Sequence, residues 1–305
     1  MHYTKNNHLY YTIGNRKFGY RKTPYEQFKV FAGKIDHDIY RNSSWREELR
    51  KTADAVLNEY GKDLVLFLSG GTDSEIVLRN FLEIGFKPRC AIIKFKNDYN
   101  IGDVNEAIEL TNLLDVKLEI LDFDIKDFWK SGEAQEFSSE IDCTQITYLM
   151  VYYHIKKLGF PAVMGGEQFL RRHVSAEGSK WYHCFRENED ASAMRFSEKY
   201  KIPLVNEWFS YTPEMMLYYL EDGDIQKLIT DRYNYKMTSV SSKNIILKKL
   251  YPDIKLRIKT HGFERLLGFN GEVYNKMRSN AVPRLESSLD GIFISDLILQ
   301  LKGEV

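Results

Sequence analysis

The chain has 305 residues, room for one large domain or two ordinary ones around a sizeable core. Its 43 Lys and Arg balance 43 Asp and Glu, so no whole-molecule field draws it to nucleic acid or to an anionic membrane. Three cysteines, Cys90, Cys143 and Cys184, are far apart and form no Cys-x-x-Cys, which argues against a disulfide framework and a structural zinc site.

The N-terminus shows no apolar signal core and no run reaches membrane length, so a cytoplasmic protein with no membrane partner is expected. Residues 1–62 read as an N-terminal appendage. "HLYYTIGNRKFGY" predicts a hairpin turning at Gly14-Asn15. Ser44-Trp45-Arg46-Glu47 is a capping-box pattern that opens a helix to about Tyr60.

Residues 63–210 read as the core. Leu64–Leu68 is a continuous apolar run, the mark of a strand buried on both faces. A helix follows over 74–84, with Ile76, Val77, Phe81 and Ile84 at helical spacing and Gly85 ending it. The alternation continues: strand 90–95, helix 103–114, strand 117–123, helix 144–158, strand 162–164. Four such repeats predict an α/β fold, a doubly wound and mainly parallel sheet with right-handed crossovers. "IPLVNEWF" suggests one more strand, and the stretch after about Arg171 otherwise reads as irregular or helical. Residues 211–305 are expected to be a helical region for the substrate, opened by Pro213 in a first helical turn. Between Arg232 and Arg265 nine Lys or Arg face two acidic residues, a basic bias suited to RNA.

The chemistry is concentrated between the first core strand and its helix, in Ser69-Gly70-Gly71-Thr72-Asp73-Ser74. Ligands of doubly wound sheets bind beyond the carboxyl ends of the strands. A loop there that opens a helix presents unpaired N–H groups and the positive end of the helix dipole. Gly70 and Gly71 let the backbone approach closely, and Ser69 and Ser74 add hydroxyl donors. The device suits an oxyanion, and a phosphate above all. Asp73 fits beside it if a Mg²⁺ ion bridges its carboxylate to phosphate oxygens. The Walker and dinucleotide-binding glycine patterns are both absent from this loop.

Ser-Gly-Gly-x-Asp-Ser after a buried strand resembles the PP-loop of the ATP pyrophosphatase superfamily. Its members include asparagine, β-lactam, NAD and GMP synthetases, deazaguanine nitrile synthases and tRNA-modifying enzymes. The resemblance covers roughly residues 63–170. It implies that ATP is cleaved between its α- and β-phosphates, with AMP placed on a substrate oxygen. It also implies that ATP is held by residues 69–74 and that adenine lies against the backbone near Ile93 and Lys94.

"AVMGGEQFLRR" (162–172) is similar to a shortened form of the Gly-rich acidic turn of asparagine synthetases. That likeness makes Gly165 and Gly166 nucleotide-binding candidates and Glu167 a second Mg²⁺ carboxylate beside Asp73; Glu167 equally suits a helix N-terminus as a charge. Lys259, in "LRIKTHGFERL", stands where amide-forming synthetases of this kind keep a lysine that neutralises charge on phosphorus and leaving pyrophosphate. Arg257 and Arg265 are weaker candidates for that work, and Asp103 is a candidate N-cap.

No cysteine precedes Cys90, so no cysteine-dependent glutaminase of the asparagine-synthetase kind is expected. Ammonia or an amine would then come from a separate donor. The leading expectation is an ATP-dependent, AMP-forming ligase acting on a small-molecule acceptor. The alternatives are the same ATP step on a nucleobase of tRNA or another nucleic acid, and a non-catalytic nucleotide-binding module.

Overall fold

In a computed structural model, the described residues are 8–17, 22–23, 25–143, 145–166, 170–175, 178–186, 190–230, 248–255 and 289–304. Strands β4 (Val65–Phe67), β5 (Arg89–Phe95), β6 (Leu118–Phe123), β7 (Ala162–Met164) and β10 (Leu204–Val205) make one five-stranded parallel sheet, ordered β10-β7-β4-β5-β6. The chain starts in the middle, runs outward to β6, then crosses back to β7 and on to β10. The order therefore reverses between β4 and β7, and this is the point where a crevice opens at the carboxyl edge.

Alternate strand residues feed two apolar layers, as a pleated sheet covered on both faces requires. Leu66, Cys90, Ile92, Val163 and Val205 pack with helices α2 (Trp45–Tyr60), α3 (Thr72–Glu83) and α4 (Ile101–Leu113). Helix α9 (Pro213–Glu221) joins the same layer through Met215, Met216 and Leu220. Val65, Phe67, Ala91, Ile93 and Met164 pack instead with α5 (Ile125–Lys130), α6 (Glu133–Ile141), α7 (Ile146–Leu158) and α8 (Asp190–Tyr200). Helix α2, expected as part of an N-terminal cover, lies within the first layer: Trp45, Leu49, Ala53 and Val56 are all buried there. Ser44 caps it, its Oγ accepting from the Glu47 amide at 3.3 Å.

Two smaller antiparallel sheets flank this body. Strands β1 (Tyr10–Ile13), β2 (Arg16–Lys17) and β3 (Phe28–Phe31) include the expected hairpin, with Ile13 opposite Arg16 across Gly14-Asn15. Tyr11, Ile13 and Phe28 bury themselves against Ala191 and Met194 of α8. Strands β8 (Leu170–Ser175), β9 (Gly178–Arg186) and β11 (Leu289–Phe293) form the other sheet, with β9 in the centre. The sequence marks none of these three strands, reading the chain after about Arg171 as irregular or helical apart from "IPLVNEWF". Short helices α1 (His37–Asn42), α10 (Gly223–Thr230) and α11 (Ile294–Lys302) complete the described elements.

The two ends of the described chain are tied together. The Ile35 amide donates to the Leu301 carbonyl at 2.8 Å, and the Ala32 amide to the Gln300 side chain at 3.2 Å. His8 joins the same corner: its Nδ1 accepts from the Gly33 amide at 3.0 Å and its Nε2 lies 2.8 Å from the Ser210 carbonyl. Among the described residues, no helix is long and apolar enough to cross a membrane.

Candidate active site

Strand β4 ends and α3 begins within the predicted glycine loop, so the loop sits at the carboxyl edge beside the reversal in strand order. Gly70 takes φ +66°, and a methyl group there would overlap the backbone carbonyl of Asp103 in the first turn of α4. Both the left-handed backbone and the close approach require glycine. The turn is thereby wedged against a second helix N-terminus. Gly71 is the N-cap of α3, and no side chain caps its first turn. The N–H groups of that turn are therefore available to an anion.

Ser74 does other work than the sequence suggests. It is buried, its Oγ accepts from the Ser69 amide at 3.2 Å, and it donates to the Gly71 carbonyl at 3.1 Å. It braces the loop from within and is not a hydroxyl held out to a ligand. Ser69 is half-buried, its own Oγ 3.3 Å from that of Ser74, and remains the hydroxyl at the mouth. Thr72 is buried at the start of α3. Asp73 is half-buried and faces the turn after β7: a methyl on Gly165 would come within 3.0 Å of the Asp73 Cβ and of the Ser74 amide nitrogen.

The two glycine-bearing stretches of the sequence thus meet. Gly165 lets Asp73 and the α3 start approach β7, and Gly166 lets the chain leaving β10 approach it, since a side chain there would overlap the Asn206 carbonyl. Glu167 lies outside the described residues, as do Lys259, Arg257 and Arg265. Among the described residues no cluster of three or more His, Cys, Asp or Glu gathers as a metal site.

Beyond β5 the sequence reading missed a residue. Strand β4 stops short, and Asn100 takes its place: its Nδ2 donates to the Ile93 carbonyl at 2.8 Å and its Oδ1 accepts from the Phe95 amide at 2.8 Å. The only cue in the sequence is an Asn a few residues past a buried strand, where its amide can imitate a peptide group. Ile93, expected beside adenine, therefore has its carbonyl already engaged by Asn100. The Lys94 ammonium pairs with Asp98 at 3.0 Å, which holds it above the usual lysine range. Between them and Asn100, Asn97 and Asp98 both adopt left-handed backbone, φ 63° and 56°. Two such residues in a row are strained, and strain of this kind gathers at ligand-binding edges.

Behind the loop, α3 is anchored by its polar residues. Buried Glu75 accepts from Arg79, which also reaches Asp253 at 3.1 Å. Asn80, fully buried, donates to the Tyr251 hydroxyl at 2.5 Å and accepts from Trp208 Nε1 at 2.9 Å. Of the cysteines described in full, Cys143 is buried, and burial pushes the Cys90 thiol up to about 12.

The residues present fit a nucleotide phosphate held with a divalent cation. Uncapped N–H groups, the Ser69 hydroxyl and the Asp73 carboxylate share one corner, and side-chain-free Gly165 leaves it open.

No protein-family model and no curated protein matches the chain. Among solved structures it is similar to an NMN synthetase from Francisella tularensis, at 14% identity over 81% of this chain and 96% of that one, TM-score 0.33. An NH₃-dependent NAD synthetase from Campylobacter jejuni stands at 13% identity over 81% and 96%, TM-score 0.33. The predicted subunit of a tRNA methyltransferase from Methanocaldococcus jannaschii stands at 11% identity over 65% and 94%, TM-score 0.32. At these scores the likenesses carry no argument about what this chain does.

Proposed function

We propose that the protein is an ATP-using, AMP-forming ligase that activates a carboxylate or amide oxygen of a small-molecule acceptor and transfers it to ammonia or an amine. The observation that carries this reading is the Ser69–Ser74 loop: a PP-loop-like sequence opening α3 at the strand-order reversal, with Asp73 against the glycine turn after β7. The α3 N–H groups and the Ser69 hydroxyl hold phosphate oxygens and stabilise the charge that grows on the departing pyrophosphate. Asp73, with Glu167, would hold Mg²⁺, which would supply Lewis-acid neutralisation of phosphate charge. Ser74 and Gly70 keep the loop in register, so the substrate oxygen is aligned with the α-phosphorus on arrival. Lys259 neutralises charge as pyrophosphate leaves.

The test uses α-labelled ATP and Mg²⁺ with either a small-metabolite extract or purified tRNA, followed by separation of the nucleotide products. AMP and pyrophosphate formed only with the metabolite fraction are expected. AMP formed only with tRNA would transfer the reading to nucleic-acid modification. ADP would refute the AMP-forming reading, and no product with either would leave a nucleotide-binding module. Lys259→Ala is expected to lower turnover more than ATP affinity, and a pure binding loss would contradict its role.

A further inference from the structure

Strand β5 outruns β4. The Ala91 carbonyl accepts from the Leu68 amide at 2.8 Å, but Ile93, two residues on, presents its carbonyl to the same side beyond the end of β4. Asn97 and Asp98, in left-handed backbone, turn the chain back along that bare edge. The turn brings in Asn100, which is 7% exposed. Its Nδ2 donates to the Ile93 carbonyl and its Oδ1 accepts from the Phe95 amide, each at 2.8 Å. Two bonds from one planar carboxamide fix its direction as well as its distance. Asn100 is also the N-cap of α4: its backbone carbonyl accepts from the Val104 amide at 3.2 Å, while its side chain caps nothing in the helix. The α4 start is therefore fastened to β5 by a side chain that an N-cap asparagine ordinarily spends on its own first turn.

Within that first turn, the Asp103 backbone meets the glycine loop. A methyl on Gly70 would overlap the Asp103 carbonyl and come within 2.9 Å of its Cα. Gly70 thus rests on α4 with no room between them. Asn100 and Asp103 are three residues apart in one helical turn, so they move together. The chain of contacts runs from β5 through Asn100 and the α4 start to Gly70, just ahead of α3. Ser74 braces the loop from within, and this chain backs it from outside.

We propose that Asn100 is a positioning residue for ATP: without touching the nucleotide, it sets where Gly70 and the first N–H groups of α3 stand, through the first turn of α4. This rests on the ligase reading above, in which those groups hold the phosphates that leave as pyrophosphate. Loss of the carboxamide lets the α4 start move off β5, and Gly70 loses its backing. The loop N–H groups then no longer converge in advance on the β- and γ-phosphates. The grip on those phosphates weakens, while the hold on the rest of the nucleotide is unchanged.

The full chain is titrated calorimetrically with ATP and with AMP, each in the same excess of Mg²⁺; AMP lacks the two phosphates assigned to the loop. Wild type is expected to prefer ATP. In Asn100→Ala, ATP affinity should fall about tenfold and AMP affinity stay within about twofold, a split that general loosening of the fold would not produce. Asn100→Asp covers the case in which the alanine variant fails to fold. It keeps an acceptor for the Phe95 amide but, when ionised, offers the Ile93 carbonyl no hydrogen, so the same loss of ATP preference is expected. Melting supplies a second reading. Gly70→Ala should lower the melting temperature about half as far or less in the Asn100→Ala background as in wild type, because α4 can then give way. An unchanged ATP preference in a folded variant, equal weakening of both nucleotides, or additive melting losses overturns the proposal and leaves the ligase reading standing. A wild type with no preference for ATP over AMP overturns the phosphate-holding role of the loop, and with it the ligase reading and this proposal.

Discussion

Replacing Gly70 by alanine tests whether the loop is held by backbone necessity. Two costs are expected there. At φ +66° an L-residue carries a left-handed penalty of about 1–2 kcal/mol. The added methyl would also overlap the Asp103 backbone carbonyl, which cannot swing aside as a side chain could. Forced overpacking of this kind costs about 1–3 kcal/mol. Gly85, past the other end of α3, isolates the first cost: its φ is +77° and nothing lies within 4 Å of a methyl placed there. Gly85→Ala should therefore lose about 1–2 kcal/mol, and Gly70→Ala about 2–5 kcal/mol. For a chain of this size that corresponds to melting temperatures lowered by roughly 2–8 °C and 4–20 °C, read by circular dichroism under matched conditions. If the two variants melt within about 1 °C of each other, the wedge between loop and α4 is not a real constraint.

Other perturbations separate the parts of the site. Asp73→Asn should abolish Mg²⁺-dependent turnover and leave the melting temperature nearly unchanged; an active variant would sink the metal assignment. Ser74→Ala removes an internal brace and should cost about 1–2 kcal/mol of stability. Ser69→Ala should instead weaken turnover with little effect on melting, and a reversal of the two phenotypes would refute the division of labour between the serines. Burial beside Phe123 holds the His154 imidazole below its usual range. Its contribution is therefore complete above the unfolded value of about 6.5 and is lost as pH falls toward the depressed folded value. His154→Gln should flatten the fall in melting temperature between about pH 6.5 and pH 5, and an unchanged slope would contradict this.

The parallel sheet was legible because strands buried on both faces appear as unbroken apolar runs, as at Leu64–Leu68 and Ala162–Met164. Helix α3 announced itself through Ile76, Val77 and Phe81 on one face. Helix α8 did not, because Ala191 to Ser197 are buried on every side and the run includes Ser192, Arg195 and Ser197. No amphipathic rhythm survives that environment. Strand β11 was hidden for another reason: it pairs with β9, about a hundred residues earlier, a partnership no local window contains. Within the site, the glycine loop was readable as a motif. The inward turn of Ser74 was not, since a hydroxyl at a helix start looks the same whether it faces a ligand or its own loop. Asn100 carries no mark in the sequence, because a lone amide after a strand forms no pattern.

The clasp between the N-terminal corner and α11 has a consequence for how the chain is made. Ala32 and Gln300 are 268 positions apart. At about 5–20 residues per second, a ribosome needs roughly 13–54 s to traverse that interval. Through that time the edge carrying Ala32 and Ile35 is synthesised but lacks its closing partner, while the parallel sheet between them can already assemble. The newborn chain therefore waits with the edge carrying Ala32 and Ile35 unlatched until Gln300 and Leu301 have been made.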